Sequence, residues 1–155
     1  MNDSCPLEDA FYVAHGERLL ESFKRLMDFD LLIGNLSISA ISALDQAPVA
    51  ILSHGIEAEP IFNFGNQFAL TLFECEWRDF IKMPSRYSAE VISQEERAGL
   101  LAKVSRQGFI VHYHGVRVSA TGKRFMINNA IVWNIIDHQG QYHGQAAMFK
   151  DYSFL

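Results

Sequence analysis

The C-terminal third of the chain restricts the fold more than any other part. Three segments rich in β-branched and aromatic residues follow one another, over 109–120, 125–136 and 142–149. Short polar stretches at 121–123 and 137–140, each with a glycine, separate them as tight turns do. Strands joined by such short turns pair in the antiparallel sense. This part of the sequence therefore predicts a three-stranded antiparallel meander.

Two further strands are predicted upstream of the meander. The apolar run over 49–52 and the run over 61–64 are both short enough for strands. His54-Gly55 and Pro60 bracket a turn between them, so the two runs are expected to form a hairpin. Together with the meander, they predict a five-stranded antiparallel sheet.

Helical spacing precedes this sheet in the sequence. An apolar stripe predicts an amphipathic helix over 16–28, and a second helix is expected over 35–46, before Pro48. The residues of the stripe are Leu19, Leu20, Phe23, Leu26 and Met27. Because isolated helices of this length are marginal in water, the stripe has to be buried, either on a second copy of the chain or on its own sheet. The first alternative predicts a homodimer through the N-terminal helix.

The middle of the chain predicts two more helices. Asn66 is a suitable N-cap for a helix whose apolar face continues to Phe80, before Pro84. Ser93 and Glu96 match a capping box for the next helix, which Gly108 would end. The expected fold class is therefore α+β: a five-stranded antiparallel sheet with helices on one face. Residues 1–46 would form a helical extension and residues 47–155 the sheet-containing domain.

This order of elements resembles that of a PAS domain. The segment 60–70 resembles the PAS stretch in which a strand ends in Asn and a helix follows, and 137–140 resembles the turn before the last PAS strand. A closer resemblance, over roughly residues 18–152, is to the MEKHLA family of PAS-like proteins. The segments that carry it are 51–55, 72–74, 84–86, 88–90, 115–119, 132–134 and 144–147.

Membership of this family would imply a PAS-like fold and a sensory or regulatory role. The resemblance implies stand-alone bacterial proteins on one hand, and a C-terminal regulatory domain of plant homeodomain–leucine-zipper transcription factors on the other. It implies no established ligand or reaction. Since the sequence has no DNA-binding or kinase part, we expect a stand-alone bacterial module.

Charge and cysteine content narrow the expected partners and compartment. The net charge is −5 and the basic residues are scattered, which argues against direct nucleic-acid binding. Cys5 and Cys75 form no CxxC pair, and the first residues lack the features of a signal peptide. No stretch is apolar and long enough to span a bilayer. We therefore expect a cytoplasmic protein without membrane contact.

The sequence contains no recognisable catalytic or metal-binding motif. His112 and His114 lie two apart on a predicted strand, but no matching Cys or His pair completes a zinc site. There is no nucleophile elbow and no Gly-rich phosphate loop. The sequence therefore predicts no catalytic residues, no metal ligands and no enzyme activity.

A flavin or haem cofactor is left open by the sequence. Light-sensing relatives of PAS domains form a flavin adduct through a Cys next to an Arg, and here Ser85 precedes Arg86. Because serine cannot form that adduct, no thiol-adduct photochemistry is expected.

Many aromatic side chains are available to line a cavity between the sheet and the helices. Ligand pockets are mostly apolar with a few polar groups. The candidate ligand-binding residues are Asn66, Phe73, Trp77, Arg86, Tyr113, Asn128, Trp133, Asn134 and Gln145. Strand alternation places Asn128 and Asn134 on one face of a strand, but does not tell which face lines the pocket.

Three functions remain in competition. The first is a sensor or regulatory module that binds a small apolar or aromatic ligand, a protein partner, or both. The second is a pure interaction module with a filled core. The third is a small α+β enzyme, which would require a buried Asp–His pair in a pocket.

Overall fold

The structure, a computed structural model, describes residues 4–32 and 38–155. Its helices and strands follow the order that the sequence predicts, except that one predicted helix is divided into two and one strand is added at the end. They are α1 (Ala10–Met27), α2 (Ala40–Gln46), β1 (Ala50–His54), β2 (Phe62–Gly65), α3 (Gln67–Leu72), α4 (Trp77–Phe80), α5 (Val91–Gln107), β3 (Phe109–Val118), β4 (Arg124–Ile136), β5 (Tyr142–Phe149) and β6 (Asp151–Phe154).

The strands form one antiparallel sheet in the order β2-β1-β5-β4-β3. The predicted hairpin is present, with Leu52 opposite Gly65, and so is the meander of β3, β4 and β5. β6 was not predicted. It pairs with the N-terminal half of β4, from Phe125 opposite Phe154 to Asn128 opposite Asp151. It thereby continues along β4 where β5 stops.

The first helix is longer than predicted and covers the chain's own sheet. It begins at Ala10, where the Asp9 side chain accepts a hydrogen bond from the Phe11 N–H. Leu19 and Phe23 are fully buried against α2 and the sheet. Burying two such side chains contributes about 1.5–3 kcal/mol each before entropy is counted. The stripe therefore takes the second of its two alternatives, and Phe23 is not available to a second copy.

The second predicted helix is confirmed only in part. α2 begins at Ala40, where the Ser39 hydroxyl accepts a hydrogen bond from the Ser42 N–H. Residues 35–37 of the predicted helix lie outside the described residues.

The helix predicted from Asn66 towards Pro84 is interrupted. Asn66 caps α3 as predicted, but Glu74 has a φ of +54° and α4 begins only at Trp77. The Glu74 carboxylate accepts hydrogen bonds from the hydroxyls of Ser119 and Thr121, in the β3–β4 turn. The chain turns at Glu74, where these hydrogen bonds form, and the helix does not continue. The apolar pattern alone does not predict this turn.

The capping box predicted for the last helix is wrong, although the helix ends before Gly108 as expected. α5 begins at Val91, so Ser93 lies inside its first turn and Glu90 is the cap residue. The Glu90 carboxylate does not cap the helix, because it is paired with the Arg124 guanidinium.

The sheet is covered on both faces. Leu52, Phe62 and Phe149 pack under α3, α4 and α5, whereas Ile51, Phe64 and Trp133 pack under α1 and α2. No helix of the described residues is long and apolar enough to cross a membrane. The α+β class and the N-terminal helices are confirmed, while a domain boundary between residues 46 and 47 stays a prediction.

Candidate functional site

A cavity of about 60 Å³ lies between the sheet and α5. Its walls come from β1, β3, β4 and β5 on one side and from α5 on the other. The apolar part of the lining consists of Leu52, Phe62, Phe73, Leu100, Leu101, Ile127, Ala130, Val132, Ala146, Ala147 and Phe149. The polar part consists of Ser53, His54, Ser88, Arg97, Tyr113, Arg117 and Gln145. An apolar chamber with a few polar groups is the usual character of a small-molecule site.

Two buried arginines stand in this lining. Arg97 is 8% exposed and Arg117 is 7% exposed. Arg97 donates from Nη2 to the Ser85 hydroxyl, and Arg117 donates from Nη2 to the Tyr113 hydroxyl at 3.1 Å. Burial, reinforced by the neighbouring charge of Arg117, lowers the pKa of Arg97 to about 10. The Arg97 side chain is therefore still cationic at neutral pH, as arginine side chains in proteins generally are.

Tyr113 reaches Arg117 because Gly115 leaves room between them. An added Cβ at Gly115 would lie 2.1 Å from the Tyr113 hydroxyl oxygen, so no larger residue fits beneath the phenol. The same hydroxyl donates to the carboxylate of Glu96 at 3.1 Å. Glu96 itself is exposed, at the outer side of the tyrosine.

His54 contributes an unpaired nitrogen to the cavity wall. It is 7% exposed, its Nδ1 lies 3.2 Å from the Gly55 carbonyl, and its Nε2 has no hydrogen-bond partner of good geometry among the described residues. Gly144 lies against it on β5, where an added Cβ would stand 2.0 Å from the His54 carbonyl oxygen. With a φ of +116°, this position requires glycine for both space and conformation.

Four of the nine candidate ligand-binding residues lie at or next to this cavity. Phe73, Tyr113 and Gln145 line it. Asn134 stands directly behind Gln145, whose amide nitrogen donates to the Asn134 side-chain oxygen at 3.1 Å. The Asn134 amide in turn donates to the Val104 carbonyl of α5. The positions of these side chains show which face of the sheet lines the cavity, a choice that the sequence did not decide. It is the face under α5.

Asn66, Trp77 and Trp133 do not line the cavity. The Asn66 side chain is buried and makes four hydrogen bonds to backbone groups of its own fold. Trp77 packs on Tyr12 and Phe64, on the α1 face of the sheet. Trp133 is on that face too, with its indole N–H donating to the Ser22 hydroxyl at 3.0 Å.

Arg86 and Asn128 lie at the surface or close to it. Arg86 pairs with Glu59 at 2.8 Å, with about half of each side chain exposed. Asn128 donates to the Ser153 hydroxyl of β6. It does not share a face with Asn134, because Asn129 between them has a φ of +57° and breaks the strand alternation.

Sequence reasoning missed Arg97, Arg117 and His54. Arg97 was missed because an arginine within a helix is usually solvated. Tyr113, Gly115 and Arg117 lie two apart on one strand, so the alternation rule could have placed Arg117 beside the predicted Tyr113. His54 was interpreted as a turn residue, whereas it is the last residue of β1.

The other polar clusters lie away from the cavity. His112 and His114 are both exposed and hydrogen-bond with Asn129. Within residues 4–32 and 38–155, no group of three His, Cys, Asp or Glu side chains could hold a metal ion.

The Asp137–His143 pair lies at the β4–β5 turn. The Asp137 carboxylate accepts a hydrogen bond from His143 and two more from backbone N–H groups, and these bonds lower its pKa to about 2. The enzyme hypothesis requires a buried Asp–His pair in a pocket, but neither Asp137 nor His143 lines the cavity.

Two buried histidines predict acid sensitivity. Burial lowers the pKa of His54 to about 4 and that of His15 to about 3, whereas an unfolded histidine titrates near 6.5. Between these pKa values the unfolded chain binds more protons than the folded protein does. The part of the free energy of unfolding that depends on the two neutral histidines is therefore complete above about pH 6.5 and is lost as the pH falls. We expect a loss of about 1 kcal/mol per pH unit for each histidine between pH 6 and 5, measured by urea unfolding. His54→Asn should flatten this slope, and His112→Asn, at an exposed site, should not. Equal slopes for both variants would contradict the assignment.

Solved structures define the class of protein that has this fold. The PAS domain of a protein from Colwellia psychrerythraea superposes with a TM-score of 0.61 at 18% identity, covering 71% of this chain and 91% of that one. The PAS domain, in complex with ethanol, of a LuxR-family transcriptional regulator from Burkholderia thailandensis superposes with a TM-score of 0.56 at 15% identity, covering 72% and 96%. The fold is that of a PAS domain.

The family follows from the sequence match. The MEKHLA domain matches residues 13–154, nearly the whole chain. The chain belongs to the MEKHLA domain family, and the predicted resemblance is confirmed.

Curated relatives come from plants. Homeobox-leucine zipper protein HOX32 of Oryza sativa subsp. indica is 27% identical over 120 residues, which are 76% of this chain and 14% of that protein. The chain thus spans only a small part of the length of the relatives it matches. The expectation of a bacterial protein is wrong, because the matching curated proteins are from rice.

Proposed function

We propose that this protein is a ligand-sensing module that binds a small molecule in the cavity between α5 and the sheet. The single observation that carries the proposal is an apolar chamber in which cationic and polar groups are buried together. A structurally similar PAS domain is described in complex with ethanol, a molecule of the size this chamber accommodates. A ligand here would contact Leu100 and Leu101 of α5 and strands β1, β3, β4 and β5 at once. Binding would therefore stabilise the packing of α5 on the sheet.

Filling the cavity with protein atoms tests this proposal. Ala130 is 1% exposed and lines the chamber, so Ala130→Leu should occupy the ligand space. We expect small alcohols and acids to raise the melting temperature of the wild-type protein and to leave that of Ala130→Leu unchanged. Ala98→Leu, the same substitution at an exposed position of α5, should respond as the wild type does. If no compound shifts the wild-type protein, the filled-core interaction module is the better description.

Homodimerisation through the N-terminal helix is the second part of the proposal. Because the apolar stripe of α1 is buried on the chain's own sheet, the dimer proposal rests on the apolar side chains on the outer side of α1. Phe11 is 47% exposed and Val13 is 37% exposed. We expect light scattering to give about twice 17.6 kDa, and Phe11→Glu to give the monomer mass while its circular dichroism spectrum stays that of the folded protein. Val111→Glu, at an equally exposed valine of β3, should leave the dimer intact. A wild-type monomer across micromolar concentrations would contradict this part.

A cytoplasmic location stays a prediction. Cys5 packs on the α1 face of the sheet and Cys75 on the opposite face, so the two cannot pair with each other in any compartment. Cell fractionation tests the prediction, and recovery of the protein outside the cytosolic fraction would contradict it.

A further inference from the structure

We propose that the ligand of this cavity is a short-chain carboxylate whose anionic head is held by Arg97 and Arg117. This inference rests on the proposed function, because it names the class of molecule that the chamber takes. It follows from the charge, the open donors, the unpaired polar atom and the size of the cavity.

The first argument is uncompensated charge. Arg97 and Arg117 are both more than nine-tenths buried, and buried arginines are normally paired with an anion. Among the described residues, no carboxylate oxygen lies within 4.0 Å of either guanidinium. Among the described residues that line the cavity there is no Asp or Glu, and the exposed Glu96 carboxylate reaches Arg117 only through the Tyr113 hydroxyl. Two like charges therefore face one chamber, and an anion between them would relieve their repulsion.

The second argument is hydrogen-bonding capacity. A guanidinium carries five N–H donors. Arg97 uses one of them on the Ser85 hydroxyl, and Arg117 uses two, on the Val116 carbonyl at 2.8 Å and on the Tyr113 hydroxyl. Ser85 and Tyr113 thereby orient the two side chains without neutralising them. The remaining donors have the fork geometry that suits a carboxylate.

The third argument is the unpaired Nε2 of His54. This atom is buried in the cavity wall, where the Gln145 side chain lies near enough to raise the pKa of His54 slightly but makes no hydrogen bond of good geometry with Nε2 in the described part of the chain. A buried polar atom without a partner is costly. Because Nδ1 faces the Gly55 carbonyl and so carries the ring proton, Nε2 is an acceptor. Its partner would be a hydroxyl or a bridging water beside the bound carboxylate, and not the carboxylate itself.

The fourth argument is size. A water-sized atom needs about 10–15 Å³ of such space, so a cavity of about 60 Å³ takes about four to six non-hydrogen atoms. Acetate, propionate and butyrate lie in this range. The apolar walls, among them Leu52, Phe62 and Val132, suit the alkyl part of such a molecule, and a flavin or haem is far too large for the cavity as it stands.

The test compares acids with neutral molecules of the same shape. Propionate and 1-propanol are titrated at constant ionic strength, and chemical-shift changes of the backbone amides are followed by NMR. We expect propionate to bind with a dissociation constant of about 0.1 mM and at least about tenfold more tightly than 1-propanol. In Arg97→Met and Arg117→Met, propionate binding should fall to the level of 1-propanol, while 1-propanol binding stays unchanged.

Stability provides a second readout, because a purely structural arginine would behave differently. A buried charge without a paired anion is costly, so its replacement by an apolar residue of similar length is expected to be neutral or stabilising. We therefore expect both Met variants to melt no lower than the wild type while losing propionate. Arg117→Lys keeps the charge but lacks the paired N–H donors of a guanidinium, so it should weaken propionate binding about tenfold. This variant replaces the Met variants in the test if either of them does not fold.

The outcomes separate the two proposals. If 1-propanol binds as tightly as propionate, or if the arginine variants bind propionate normally, the carboxylate inference is overturned and the sensory cavity stands. If neither compound binds the wild-type protein, the ligand-sensing function itself fails. If Ala130→Leu blocks both compounds while only propionate depends on the arginines, both proposals are supported.

Discussion

Replacing Asn66 with alanine is expected to lower the free energy of unfolding by about 4 kcal/mol. The side-chain oxygen accepts from the N–H groups of Ile51 and Ala69, at 3.1 and 3.0 Å. The amide nitrogen donates to the carbonyls of Leu44 and Val49, at 2.9 and 2.7 Å. The substitution removes an N-cap and leaves several buried backbone groups without partners, so its cost exceeds that of either effect alone. Urea unfolding followed by circular dichroism measures it.

A matched control for Asn66 is the cap of α2. Ser39 is exposed and its hydroxyl accepts a single hydrogen bond from a backbone N–H, that of Ser42. Ser39→Ala should therefore cost only about 0.5–1 kcal/mol. If Asn66→Ala costs no more than Ser39→Ala, the four bonds of Asn66 do not stabilise the fold as described, and its candidacy as a ligand group reopens.

Trp133→Ala is expected to have a comparable effect, also about 4 kcal/mol, for a different reason. Trp133 is fully buried, its ring centre lies 5.0 Å from that of Phe23, and its N–H donates to Ser22. Alanine would leave a large cavity between α1 and the sheet. Trp133→Phe keeps most of the ring contact and should cost about 1–2 kcal/mol, through the lost indole hydrogen bond and the smaller ring. The Ser22 hydroxyl still donates to the Arg18 carbonyl at 2.7 Å.

The Trp133 variants also separate structure from binding. The residue was predicted as a ligand contact, but it lies on the α1 face of the sheet and is absent from the cavity lining. Trp133→Phe should therefore bind small molecules as the wild-type protein does. A loss of ligand response in Trp133→Phe, with the fold intact, would contradict the assignment of the cavity to the α5 face.

The strand pattern could be predicted because alternation and turn residues are local signals. The hairpin and the meander lie where the sequence placed them. β6 was missed because its four residues are all exposed and carry no alternating pattern of burial. Its pairing with β4 depends on where the preceding strand stops, at Phe149, which is a tertiary property.

The site was predicted less well, because its residues combine local and long-range effects. Tyr113 and Phe73 were predicted from the supply of aromatic side chains, and Gln145 as one of the few polar groups that a pocket needs. All three line the cavity. Asn128 was misplaced by the bulge at Asn129, whose positive φ has no signature in a single sequence beyond the residue type. Arg97 was overlooked because its burial depends on β3 and on Ser85, both distant along the chain.

The two-sided burial of the sheet would connect the proposed ligand cavity with the opposite surface of the protein. On β4, Val132 forms part of the cavity wall, and the next residue, Trp133, presses against Phe23 of α1 on the opposite side. A ligand that shifts the backbone of β4 at Val132 must therefore move Trp133 as well, because packed interiors transmit displacement instead of absorbing it. β4 would thus connect the cavity on one face of the sheet with α1 on the other. Occupancy of the chamber would then be read at the surface of α1, without the ligand itself ever touching a partner.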